Sequence, residues 1–164
     1  RDYARTLTEN ASRHVAGIPG WMEVAKALET AQIPLPLIYG HNDLLPANFL
    51  YTNNRVWLID FEYSAYSTAM FDLAGLSSNA GFDRHQSLEL LILYFSSNPD
   101  AGLIQALEAM QCASLLREAM WSMVSELFLK APGVDYAAYT ANQLDAYSAR
   151  LDDYQSRYGK IAKS

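Results

Sequence analysis

The sequence predicts an α+β fold that is mostly helical, with a small β-hairpin. Three observations lead there. Apolar residues recur at helical spacing from Met70 to the end of the chain. Two short strand-like runs, Phe49–Thr52 and Val56–Phe61, flank Asn53-Asn54, a pair whose tolerance of positive φ suits a tight hairpin turn. A length of 164 residues with 51% hydrophobic and 18% charged residues fits a single globular domain, 1–164, with a real core.

Taken in order, residues Asp2 to Val15 and Trp21 to Ala31 read as helices separated by the breaker Gly17-Ile18-Pro19-Gly20. Ile33-Pro34-Leu35-Pro36 forbids further helix and leads into the short apolar run Leu37 to Tyr39. The hairpin follows and is the only convincing β structure. Leu88, Leu91, Ile92 and Phe95 mark one later helix. Leu103, Leu107, Met110, Leu116, Met120, Val124 and Leu127 cover a longer stretch, expected as two helices. Tyr136, Tyr139, Leu144, Tyr147, Leu151, Tyr154 and Tyr158 form a last stripe, with Asp135 as its candidate N-cap.

Composition removes several function classes. The net charge of −6 comes without a Lys/Arg cluster, which argues against nucleic-acid binding and suits a cationic small molecule. No apolar run approaches the roughly 20 residues of a membrane span. The single cysteine, Cys112, excludes an internal disulfide framework and a cysteine-based zinc site, in keeping with a cytoplasmic protein. The chain opens at Arg1 without a signal-like segment and is expected to be a piece of something longer. Its oligomeric state is left open.

The chemistry-bearing segment is Leu37 to Asn48 with Val56 to Glu62. It sets out His41-x-Asp43, then Asn48, then Asp60 at the end of a strand. Phosphoryl transfer from a metal-bound nucleotide needs such a set: a carboxylate facing the acceptor hydroxyl, and an amide and a second carboxylate for Mg²⁺. In that reading Asp43 is the base, Asn48 and Asp60 are the magnesium ligands, and His41 braces the loop through backbone hydrogen bonds. Alone, His41-x-Asp43 could equally be a hydrogen-bonded turn. No G-x-G-x-x-G, no G-x-x-x-x-G-K-[ST] and no V-A-I-K strand is present, so the nucleotide-clamping half is expected to lie outside this chain.

These residues resemble the C-terminal lobe of the kinase-like phosphotransferases, and specifically the choline/ethanolamine kinase family. His41-Asn42-Asp43-Leu44 with Pro46 and Asn48 is similar to that family's catalytic loop. Ile59-Asp60-Phe61-Glu62-Tyr63-Ser64 with Tyr66, Phe71 and Asp72 is similar to its metal-binding segment. Ala119-Met120-Trp121-Ser122 through Ser125, and Val134-Asp135-Tyr136 with Tyr139, Asp145, Ala146 and Tyr147, extend the resemblance, which runs from about Leu37 to Tyr147 and covers most of the chain. Ser67 stands where the family often has Asn, and Val124 where it has a second Trp. The resemblance implies a protein-kinase-like lobe and transfer of phosphate from ATP, with Mg²⁺, to a small cationic amino-alcohol. It makes Asp72 a loop-bracing residue and Glu62, Tyr63, Trp121 and Tyr136 candidates for the ammonium pocket, where ring faces contribute about 0.5–2 kcal/mol each. The chain by itself is expected to be inactive. An aminoglycoside or other small-alcohol phosphotransferase, and a non-catalytic cation-binding module, are the alternatives.

Overall fold

The computed structural model describes residues 2–161. Its elements are α1 (Asp2–Glu9), α2 (Ile18–Glu29), β1 (Leu37–Gly40), β2 (Phe49–Thr52), β3 (Arg55–Leu58), β4 (Ala65–Thr68), α3 (Ala69–Asn79), α4 (Arg84–Phe95), α5 (Ala101–Phe128) and α6 (Tyr136–Tyr158). The fold is α+β and mostly α. It divides into two compact units, residues 1–30 with 115–164, and residues 31–114.

The sequence-based reading needs five corrections, one being that the second hairpin strand is Arg55–Leu58 and not Val56–Phe61, so that Asp60, left-handed at φ 67°, lies beyond its end. The first helix ends at Glu9 and not at Val15, because Ala11 turns left-handed at φ 47° and closes a Schellman cap. There Ser12 N donates to Leu7 O and Ala11 N to Thr8 O. The Gly17–Gly20 stretch is not a breaker: α2 begins at Ile18, with Pro19 in the first turn, where a missing N–H costs nothing. Leu103 to Leu127 lie in one helix of 28 residues, since no Gly or Pro interrupts it. The β2–β3 hairpin has a companion, because β4 pairs antiparallel with β1 in a second two-stranded sheet. At the hairpin, Asn53 and Asn54 have φ 50° and 56°, the double left-handed turn expected there.

In the unit of residues 31–114, Ala69, Met70, Leu73, Ala74, Leu91, Ala106 and Leu107 form the core, with Ile38 of β1 packed against it. A buried polar node ties three of its helices. Gln111 Nε2 donates to Ser77 Oγ at 2.7 Å and to Ser87 Oγ at 3.1 Å. Glu108, almost fully buried, accepts from Arg84 Nε at 2.8 Å. Gly81, at φ 66°, ends α3 with Phe82 N donating back to Ser77 O. Asp83 opens α4 with a reciprocal capping box to Gln86.

In the other unit, Leu7, Ile18, Leu115, Leu116, Ala119, Met120, Met123 and Tyr147 form the core. Asp135 caps α6 by accepting from Ala138 N. Glu126, with a side chain 14% exposed, meets Arg13 Nε at 2.9 Å and His14 Nε2 at 3.1 Å. Burial pushes its carboxyl up, but hydrogen bonds from Thr140, Arg13 and His14 and the charge of His14 outweigh that and hold it below the usual range.

A carboxyl depressed in the folded state stabilises above its unfolded pKa, and the contribution fades as pH falls through its folded value. Glu126→Gln is therefore expected to lower stability by about 1–2 kcal/mol at pH 7. Urea unfolding at a series of pH values should show the difference from the parent shrinking below about pH 4. A difference that is constant with pH would contradict this origin.

Candidate active site

The site is built in the unit of residues 31–114. Strand β1 runs into Gly40, and the chain leaves the sheet through His41 and Asn42. Both backbone N–H groups are captured by one carboxylate. His41 N donates to Asp72 Oδ2 at 2.8 Å and Asn42 N to Asp72 Oδ1 at 2.7 Å. Asp72 can do this because it sits in the first turn of α3, where a negative charge also meets the positive end of the helix dipole. Gly40 leaves the room: a Cβ there would stand 2.6 Å from Ser67 Oγ and 2.9 Å from Asp72 Oδ2.

His41 is buried, and both its ring nitrogens are engaged. Its Nε2 lies 2.9 Å from Ile59 O, and Asp43 N donates to its Nδ1 at 3.3 Å. These partners fit the neutral tautomer protonated at Nε2. The ring also meets the edge of Phe61 at 4.6 Å. Asp43 follows, half-buried, with its backbone held on both sides. Its carbonyl accepts from Asn48 Nδ2 at 3.0 Å and from Leu45 N at 2.9 Å.

Asn48 closes a short 3-10 turn, Pro46–Asn48, and is buried. With its amide nitrogen committed to Asp43 O, its carbonyl oxygen is the atom available for ligation. The hairpin brings the chain back: Ile59 N donates to Asn48 O at 3.1 Å, one step beyond the β2–β3 ladder. Asp60 comes next, exposed and left-handed at φ 67°. Amide and carboxylate oxygens are hard donors that fit Mg²⁺, which keeps most of its shell for water and phosphate. Among the described residues, no cluster of three or more His, Cys, Asp or Glu forms a ready-made metal site.

Glu62 and Tyr63 are exposed on the same turn. Trp121 and Tyr136 belong to the other unit, where their rings meet edge to face at 6.3 Å, with Tyr139 6.5 Å from Trp121. Tyr139 OH donates to Glu118 Oε1 at 3.0 Å. Ser122 Oγ donates to Tyr136 O and lies 2.7 Å from Thr140 Oγ1, which fixes the start of α6.

Sequence reasoning gave Asn42, Gly40 and Ser67 no part in the site. Asn42 has φ 63° and directs both ends of its amide to β4 and the turn leading into it: Nδ2 donates to Tyr63 O and Ala65 O, and Oδ1 accepts from Ser67 Oγ at 2.7 Å. The available signal was an Asn inside His-x-Asp, directly after a Gly that ends a strand.

A sequence profile of the choline/ethanolamine kinase family matches residues 18–100, half of the chain. The chain belongs to the choline/ethanolamine kinase family. Among relatives of this family, a probable ethanolamine kinase from Arabidopsis thaliana is 37% identical over 62 residues, 36% of this chain and 17% of that protein. Probable ethanolamine kinase A from Dictyostelium discoideum is 27% identical over 154 residues, 81% of this chain and 44% of that protein. The crystal structure of a choline/ethanolamine kinase family protein from Mesorhizobium loti aligns with a TM-score of 0.77 at 25% identity, covering 92% of this chain and 52% of that one. The chain spans less than half the length of these curated relatives. Among the described residues no helix is long and apolar enough to cross a membrane.

The Asp72 node carries a stability prediction. Asp72→Ala leaves two adjacent N–H groups without their acceptor and should lower the unfolding free energy by about 2–4 kcal/mol. Asp72→Asn, which keeps one carbonyl acceptor, should lose less. Urea denaturation checks both, and equal losses would contradict the two-bond account.

Proposed function

We propose that this chain is the catalytic and acceptor-binding lobe of a kinase that phosphorylates the hydroxyl of a small cationic amino-alcohol of the choline or ethanolamine type. The observation that carries the reading is the ordering around Asp43. Asn48 holds the carbonyl of Asp43, and the hairpin returns Ile59, and with it Asp60, to the carbonyl of Asn48. One short stretch of chain thus presents the carboxylate, the amide and the second carboxylate that phosphoryl transfer uses.

In this reading Asp43 accepts the proton of the acceptor hydroxyl as the bond to phosphorus forms, and orients that oxygen. His41 and Asp72 hold the loop and do not react, since their polar atoms are committed to Ile59 O and to the His41 and Asn42 N–H groups. Asn48 and Asp60 would hold Mg²⁺. Bound with ATP, Mg²⁺ neutralises charge on the phosphates. The glycine-rich and lysine-bearing parts that grip ATP would come from a further lobe. Glu62 with Tyr63, and separately Trp121 with Tyr136, are the candidates for the acceptor's ammonium: ring faces and a carboxylate's field suit a quaternary ammonium, which has no N–H to donate, and the same carboxylate can accept hydrogen bonds from a primary one. Net charge of −6 supports a cationic acceptor.

The test is ADP release by the full-length protein against choline, ethanolamine, an aminoglycoside and an amino sugar. The highest kcat/KM is expected for choline or ethanolamine; turnover confined to the other acceptors would overturn the assignment. Asp43→Asn should lower kcat by about 10²–10⁴-fold with the thermal midpoint nearly unchanged. Near-parental kcat in that variant would remove Asp43 as the base.

A further inference from the structure

We propose that Asn42 is a positioning residue for acceptor binding, holding the Glu62-Tyr63 turn in register with Asp43. The proposal rests on the reading above, in which Glu62 and Tyr63 serve the acceptor and Asp43 its hydroxyl.

The geometry points to it from three directions. First, Asn42 adopts φ 63°, a left-handed backbone that Asn tolerates better than most side chains and that Gly would satisfy as well. A turn alone would not need the amide. Second, both ends of that amide are used on one target. Nδ2 donates to Tyr63 O at 3.0 Å and to Ala65 O at 3.3 Å, while Oδ1 accepts from Ser67 Oγ at 2.7 Å. All three partners belong to β4 and the turn leading into it. Third, the neighbouring residue does the same at the other end of that turn, with His41 Nε2 2.9 Å from Ile59 O. Two successive loop residues therefore grip both ends of the Asp60–Glu62 turn.

The two grips are chemically separable. His41 meets Ile59, next to Asp60, on the metal side. Asn42 meets Tyr63, next to Glu62, on the acceptor side. Asp43 itself remains held by Asn48, and the backbone of Asn42 by Asp72. Loss of the Asn42 side chain should thus loosen acceptor binding while leaving the base and the metal ligands in place. Ser67 enters through the same network, packed against the bare Cα of Gly40.

The experiment uses the full-length protein with Asn42→Gly, which keeps the backbone conformation and removes all three side-chain bonds. KM for choline or ethanolamine should rise about tenfold, with kcat reduced less than about threefold and KM for MgATP unchanged. Asn42→Asp, which turns an oxygen toward two carbonyls, should not rescue. Ser67→Ala, a milder change that retains two of the three bonds, should raise acceptor KM about twofold and serves if Asn42→Gly does not fold. A fall in kcat or thermal midpoint with both KM values unchanged would reduce Asn42 to a structural role and overturn the proposal. Amide hydrogen exchange supplies a readout independent of turnover: residues 60–67 should exchange about tenfold faster in Asn42→Gly, with α3 unaffected. If the parent protein phosphorylates neither amino-alcohol, the functional reading fails, and exchange alone then decides the grip. Unchanged exchange in 60–67 overturns it.

Discussion

Two neighbouring backbone N–H groups, those of His41 and Asn42, end on the two oxygens of the Asp72 carboxylate. Most of the site depends on that contact. It joins the exit of β1 to the first turn of α3, and charge-assisted bonds to backbone are among the strongest a surface loop can recruit. With the two amides fixed, the side chains of His41 and Asn42 leave in directions that reach Ile59 O and Tyr63 O. Asp43 then follows with its backbone determined before any ligand arrives, the kind of preorganisation that positional catalysis requires. The bare Cα of Gly40 is the steric counterpart of the same contact, because Ser67 Oγ and Asp72 Oδ2 occupy the space a side chain would fill.

A second constraint is the backbone of the loops. Of the six left-handed non-glycine residues among those described, four, Asn42, Asn53, Asn54 and Asp60, lie in or beside the polar segment, while Ala11 and Ser96 follow the ends of α1 and α4. Asn and Asp are the side-chain-bearing residues that bear this conformation most readily. At Asn53-Asn54 the reward is a tight hairpin that sets Asn48 opposite Ile59. At Asn42 the conformation sits on a residue whose side chain is fully hydrogen-bonded, and at Asp60 on the proposed metal ligand, the kind of position where strain is ordinarily kept. Flanking this segment, helices with short polar nodes such as Gln111 with Ser77 and Ser87 supply the rigid frame.

How much of this was legible in the sequence follows from the range of each interaction. The hairpin was readable because its signal, two Asn between apolar runs, is local. The α6 N-cap at Asp135 was readable for the same reason. The β1–β4 pairing was not: Ala65-Tyr66-Ser67-Thr68 is short, has no apolar alternation, and is a strand through its register with Leu37–Gly40. The end of α1 was missed because an Ala, not a Gly, took the left-handed cap position. The single long α5 was read as two helices from its length, though nothing in its interior breaks it. For the site, the residue types of Asp43, Asn48 and Asp60 and their spacing were visible. The part played by Asn42, Gly40 and Ser67 was hidden, since it exists only through interactions between positions 21 to 32 residues apart.

The central claim is that Asp43, Asn48 and Asp60 serve transfer of a phosphoryl group to the oxygen of an amino-alcohol. The most direct measurement is ³¹P NMR of the full-length protein with ATP, Mg²⁺ and choline or ethanolamine, following where the γ-phosphate goes. The account predicts an O-phosphorylated amino-alcohol accumulating in step with ADP. Intact ATP, or γ-phosphate appearing only as inorganic phosphate under conditions where the protein is folded, would contradict it.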